Sequence, residues 1–138
     1  MRNQDGQITA KPIKNTKSET LTKFIDDNAN IGATIVTDTF PAYNKLSSIG
    51  YNHISINHSV GEYIKDKAHT NGIESFWALL KRGYIGVYHY MSEKHLNRYV
   101  NEFSYRHNTR KFGTMEFIDS TILRMAGKRL KYKELINA

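Results

Sequence analysis

The change of hydrophobic period along the chain constrains its fold more than any other feature. Two short runs, Thr34-Ile35-Val36-Thr37 and Tyr51-Asn52-His53-Ile54-Ser55-Ile56, have the β-branched or alternating character of strands. Stripes at helical spacing follow. Ile73, Phe76, Trp77 and Leu80 fall at i, i+3, i+4 and i+7 on a helix over residues 70–82 that ends before Gly83, and Leu96, Tyr99, Val100 and Phe103 form a second stripe behind Ser92 as cap. Strands first and helices after predict an α/β or α+β fold with a helical carboxyl-terminal half. A length of 138 residues fits one domain.

The first residues add less regular elements. Asp5-Gly6 reads as a tight turn between the end of one strand and a second strand over 7–14, which Pro12 makes an edge or irregular. The strands near 7–14, 34–37 and 51–57 are expected to form one sheet. Thr16 or Ser18 is placed to cap a helix with Leu21, Phe24 and Ile25 on one face, Phe40 to Leu46 reads as a short helix with Pro at its first turn, and His58 to Lys67 as a loop. Met115 to Met125 is a last amphipathic helix, and Lys128 to Lys133 a basic tail.

Composition narrows the class of partner. Lys plus Arg is 20 and Asp plus Glu 13, a net charge of +7 with His neutral, so a polyanion is the first partner to consider. The absence of Cys excludes a disulfide framework, a thiolate nucleophile and a Cys-based zinc site. No run approaches the roughly 18 apolar residues of a membrane span, and the start lacks the apolar core of a signal peptide, which predicts a soluble protein of the cytoplasm without a membrane partner.

Asp38 closes the first β-branched run, which puts its carboxylate at a strand's carboxyl end. On the 70–82 helix, at 100° per residue, Asn71, Glu74, Ala78 and Lys81 line the face away from the apolar stripe. By spacing alone Glu74 and Lys81 read as a solvated helix face. A strand-end carboxylate together with one on a following helix is also a way to hold two divalent cations about 4 Å apart for in-line phosphoryl transfer. Lys81 would then hold a nucleic-acid phosphate beside them. His58, His69 and His89 lack helical pairing and read as loop or capping residues, and Trp77 as core. Tyr84, Tyr88 and Tyr90 interleave with Lys81, Arg82 and His89, a combination that suits distorted or single-stranded DNA as well as packing. Arg98, Arg106, Arg110 and Lys111 form a basic face for phosphate.

The segments Val36-Thr37-Asp38 with Tyr43, Asn57-His58-Ser59, His69-Thr70-Asn71-Gly72-Ile73-Glu74-Ser75-Phe76-Trp77 and Leu80-Lys81-Arg82-Gly83 strongly resemble insertion-sequence transposases of the bacterial ISXO-like group, in the DDE superfamily. Gly86-Val87-Tyr88-His89, Ser92 to Leu96, Arg98-Tyr99, Glu102-Phe103 and Arg106 to Arg110 continue the resemblance, which covers roughly residues 1–112. It implies an RNase H-like mixed sheet with flanking helices that cuts DNA at element ends and joins the 3′ hydroxyl to a target. It also implies two Mg²⁺ or Mn²⁺ ions bound by three acids. Asp38 matches the second acid and Glu74 the third, both as metal ligands. In some members an Asn with a downstream Lys is part of the signature, which Asn71 and Lys81 match, and that alternative stays open. The opening strand with the family's first acid, in a DE-[ST]-Y-x-G-G-like stretch, does not precede Met1, and Asp5 in a turn does not replace it. The expectation is an amino-terminally truncated catalytic domain over 1–112, with a carboxyl-terminal helix and basic tail over 113–138.

Three readings follow. The first is a transposase catalytic domain; the second is a catalytically dead DNA-binding remnant, ranked above the first for this chain alone; the third is an interaction protein dimerised by its last helices. Lys81, Arg82, Arg98, Arg106, Arg110 and Lys111 are the expected DNA contacts.

Overall fold

The computed structural model describes residues 1–57, 64–65, 68–69 and 71–136. Its elements run α1 (Ser18–Asp26), β1 (Thr34–Asp38), a 3-10 turn (Pro41–Tyr43), α2 (Leu46–Ile49), β2 (Asn52–Ile56), β3 (Ile64–Lys65), β4 (Ala68–His69), α3 (Asn71–Gly83), a π-helical turn (Tyr84–Tyr88), a 3-10 turn (Glu93–His95), α4 (Leu96–Asn108), α5 (Thr114–Met125) and α6 (Tyr132–Ile136). This is a mixed α/β chain. Among the described residues, no helix is long and apolar enough to cross a membrane.

β1 and β2 pair in parallel, with Thr34 opposite Asn52 and Asp38 opposite Ile56, so both strands end at the same level. Parallel strands need a crossover, and the 3-10 turn with α2 supplies it. Ile25, Ile35, Leu46 and Tyr51 bury together, with Tyr43 packed against them, and join α1 to this sheet. β3 and β4 make a separate antiparallel pair, Ile64 opposite His69, so Ile64-Lys65 is strand where the sequence predicts loop; residues 58–63 lie outside the described residues, and His58 with them.

The expected strand over 7–14 does not form. Only one antiparallel bridge, Arg2 with Ile8, joins the two arms of a turn in which the Asn3 carbonyl accepts the Gly6 N–H (3.1 Å) and the Asn3 side chain accepts that of Gln7 (2.8 Å). Gly6 takes φ of 80°, a conformation that glycine adopts without strain. The side-chain amide of Asn108 takes the place of a neighbouring strand: its Oδ1 accepts the Ile8 N–H at 2.7 Å and its Nδ2 donates to the Ile8 carbonyl at 2.9 Å. One amide satisfies one residue, so pairing stops there, and the missing N–H of Pro12 removes a donor further along. The expected three-stranded sheet is therefore a two-stranded parallel pair, with residues 7–14 outside it.

Ile8 is instead a core residue of the helical half, buried with Phe76 and Phe103. Phe76 is fully buried, worth about 1.5–3 kcal/mol by area. Gly83, expected just past the helix, is its last residue and is buried, because a Cβ there would collide with the Phe103 ring. The buried side of α3 thus runs through Phe76 and Gly83, with Ile73 and Leu80 partly buried against the same core. Trp77, 100° on from Phe76, lies at its rim, touching Phe76 edge-on at 5.4 Å and 46% exposed. This corrects the assignment of Trp77 to the core. The caps differ too: Lys17, without a side-chain bond, precedes α1, while the Ser18 hydroxyl donates to the Ala42 carbonyl; Ser92 precedes the 3-10 turn at 93–95 and likewise makes no side-chain cap.

Two substitutions check this packing. Asn108→Leu strands the Ile8 N–H and carbonyl and should lower unfolding free energy by about 2–4 kcal/mol, roughly 1–2 for each lost partner. Gly83→Ala, by overpacking against Phe103, should lower it by about 1–3 kcal/mol. Urea melts read both; an unchanged midpoint for either places that contact outside the native core.

Candidate nucleic-acid and metal site

Asp38 is exposed at the carboxyl end of β1, and its main chain is fixed from two sides. Its carbonyl accepts the hydroxyls of Thr37 (2.7 Å) and of Ser55 on the neighbouring strand (3.2 Å). With the Thr37 proton so used, His53 Nε2, 2.8 Å from Thr37 Oγ1, is the donor in that contact. The Asp38 carboxylate accepts the Phe40 N–H at 3.2 Å, which holds it over the turn toward Tyr43. Burial raises the Tyr43 hydroxyl pKa, and the Asp38 charge adds to the rise.

Glu74 is exposed in the first turn of α3, with Lys81 two turns along the same face and Arg82 beside it, all exposed. Solvent-facing placement follows from the buried line on the opposite side. Asn71 begins the helix, and its side chain is outside the description, as is that of His69, which ends β4. Among the described residues no three His, Asp or Glu side chains group as a metal site.

The basic residues divide. Arg106 is tied to Glu102 one turn back (2.8 Å) yet leaves 66% of its side chain exposed. Arg98 is half-buried; Lys111 is exposed. Arg110 donates to the His107 carbonyl at 2.6 Å, and its Nη2 lies 3.2 Å from the place a Cβ would take on Gly6. Arg2 comes as close to that same point and also lies against Gly72 at the start of α3. Two guanidinium groups therefore converge beside the helix N-terminus. Sequence reading passed over Arg2, since nothing local links residue 2 to residue 72 or 110.

His107 was passed over too. It is 8% exposed, its ring meets Phe76 edge-on at 5.7 Å, and its Nε2 is buried with no hydrogen-bond partner among the described residues. Burial lowers its pKa, the Arg110 charge lowers it further, a bond with the Gly6 backbone opposes this, and Arg2 lowers it again.

Of the connector aromatics, Tyr88 packs on Tyr99 and Phe103 and donates to Glu102 at 2.8 Å, while Tyr84 and Tyr90 are exposed. His89, also exposed, takes φ of 55° at the end of the π turn. The packing half of the aromatic signal is thus Tyr88, and the open half is Tyr84 and Tyr90.

A native imidazole pKa below the usual value of about 6.5 means that the unfolded chain takes up protons first on acidification. His107 and His53, the latter also lowered by burial, should therefore leave stability intact above about pH 6.5 and withdraw it as pH falls below that. Melting temperature between pH 7.5 and 5.5 should drop, and His107→Gln should flatten the drop. An equal slope in wild type and variant would mean that His107 titrates alike folded and unfolded.

The sequence profile of the ISXO2-like transposase domain matches residues 1–108. No curated protein and no solved structure matches the chain. The match spans most of the chain and includes Asp38, Asn71, Glu74 and Lys81, so the chain belongs to the ISXO2-like transposase domain family.

Proposed function

We propose that the chain acts as the catalytic domain of a DDE-type DNA transposase with an RNase H-like architecture, cutting DNA at the ends of a mobile element and joining the freed 3′ hydroxyl to target DNA. The family match over residues 1–108 carries this reading. Within it, Asp38 at the end of β1 and Glu74 on the open face of α3 offer carboxylate oxygens, the donors that Mg²⁺ or Mn²⁺ takes. An ion there would orient the attacking and leaving oxygens of the transfer. The alternative assignment gives the third role to Asn71 with Lys81.

Phosphate contact falls to the chain's own cations. Lys81 and Arg82 stand open at the end of α3, Arg98, Arg106 and Lys111 on and just beyond α4, and Arg110 meets Arg2 beside the start of α3. Their charge would displace counterions from the DNA backbone whatever its sequence. Tyr84 and Tyr90 present aromatic faces nearby in sequence for bases that leave the stack.

Affinity for duplex DNA should fall steeply between about 50 and 200 mM salt. Arg106→Ala with Arg110→Ala should weaken binding to any sequence and reduce the salt slope by about 2, one for each lost phosphate contact. Mn²⁺-dependent nicking of an element-end duplex should vanish in Asp38→Asn. If it survives Glu74→Gln but not Asn71→Ala or Lys81→Ala, the third role belongs to the Asn and Lys pair. Salt-independent binding would exclude the phosphate surface, and nicking that survives Asp38→Asn would remove Asp38 from the metal site.

A further inference from the structure

α5 carries a second surface that the transposase reading leaves unused. Its inner face is seated on α4: Phe117 packs on Tyr105 at 5.7 Å, the Tyr105 hydroxyl meets Ser120 and Thr121, and Arg124 lies over the Tyr105 ring at 5.1 Å. Away from this face, Met115, Ile118, Ile122 and Met125 are 69%, 42%, 60% and 65% exposed. Spacings of three, four and three place them on one stripe, the a and d positions of a heptad seam. At 100° per residue the stripe lies about 130° from the seated face, so the two surfaces do not compete.

The order of side chains identifies the occupant. Met-Ile-Ile-Met reads the same from either end, about a centre at residue 120. In a two-fold interface residue i meets j and j meets i. Two antiparallel copies of α5 would then set Met115 against Met125 and Ile118 against Ile122, twice each, with similar side chains throughout. Antiparallel packing also lays the acidic amino-terminal half of each helix, Glu116 and Asp119, alongside the half that leads into the basic Lys128 and Arg129. We infer that this stripe is a self-association surface, covered in solution by α5 of a second copy of this chain. Each copy would contribute on the order of 500 Å² of exposed apolar surface, short of the roughly 800 Å² per partner of a standard stable interface. Association is therefore weak and concentration-dependent.

Sedimentation of the 138-residue chain without DNA, at about 0.5 M salt to screen the net charge of +7, tests this. A monomer–dimer equilibrium is expected, weakened at least tenfold by Ile118→Glu with Ile122→Glu, both exposed positions where Glu keeps the helix; unchanged circular dichroism and melting confirm the fold. Orientation is read by thiol crosslinking in a chain without native Cys. Met115→Cys mixed with Met125→Cys should crosslink, and neither variant should crosslink to itself, because like positions lie about 15 Å apart along antiparallel helices. A wild type monomeric at about 1 mM, a dimer indifferent to the Glu substitutions, or crosslinks within the single variants would each overturn the inference.

Discussion

Two hydrogen bonds between one side-chain amide and one residue's main chain tie the opening turn of this sequence to its helical half. Asn108, the last residue of α4, donates to and accepts from Ile8 as a neighbouring strand would, a hundred residues away along the chain. A peptide group and an Asn amide present the same donor and acceptor, so the exchange leaves nothing on Ile8 unsatisfied. With its main chain held, Ile8 can bury its side chain against Phe76 and Phe103. The placement of Arg2 against Gly72, and of Arg2 and Arg110 around Gly6, depends on the same anchored turn. A single amide thus fixes both the core of the helical half and the positive charge beside the start of α3.

The helical core in turn decides what α3 presents outward. Gly83 admits the Phe103 ring, which draws the buried side of the helix through Phe76 and Gly83 and leaves Glu74 and Lys81 on the open side. Asp38 depends on different forces: a parallel partner strand, two hydroxyls on its carbonyl, and a small core of Ile25, Ile35, Leu46 and Tyr51. The two acids therefore stand on separately packed clusters.

Much of this was legible from local pattern. Asp38 at a strand end, the strand at 52–56, and α3, α4 and α5 follow from β-branching and from spacings of three and four. Trp77 was misread because a periodic stripe has no marked centre until its partner is known; the close approach of Phe103 at Gly83 moves that centre and leaves the indole at the rim. Residues 7–14 have strand composition, yet pairing needs a neighbour, and an Asn side chain at position 108 carries no sequence signal of that role. His107 and Arg2 were overlooked for the same reason: burial of one and placement of the other arise from contacts across roughly thirty to a hundred residues. Nor does local pattern reveal Ile64-Lys65 pairing with Ala68-His69, a strand pair of two residues each.

In the proposed function, one divalent ion bound by both acids would join the two clusters. Adding Mn²⁺ in small steps to the ¹⁵N-labelled chain, and following the paramagnetic broadening of its amide signals, measures this directly. If Asp38 and Glu74 share an ion, signals of residues 37–40 and 72–75 broaden together at the lowest Mn²⁺ additions, ahead of those around Asp26, Glu93 and Asp119. Broadening confined to one of the two segments, or spread evenly over all exposed acids, would show that they do not form a common metal site.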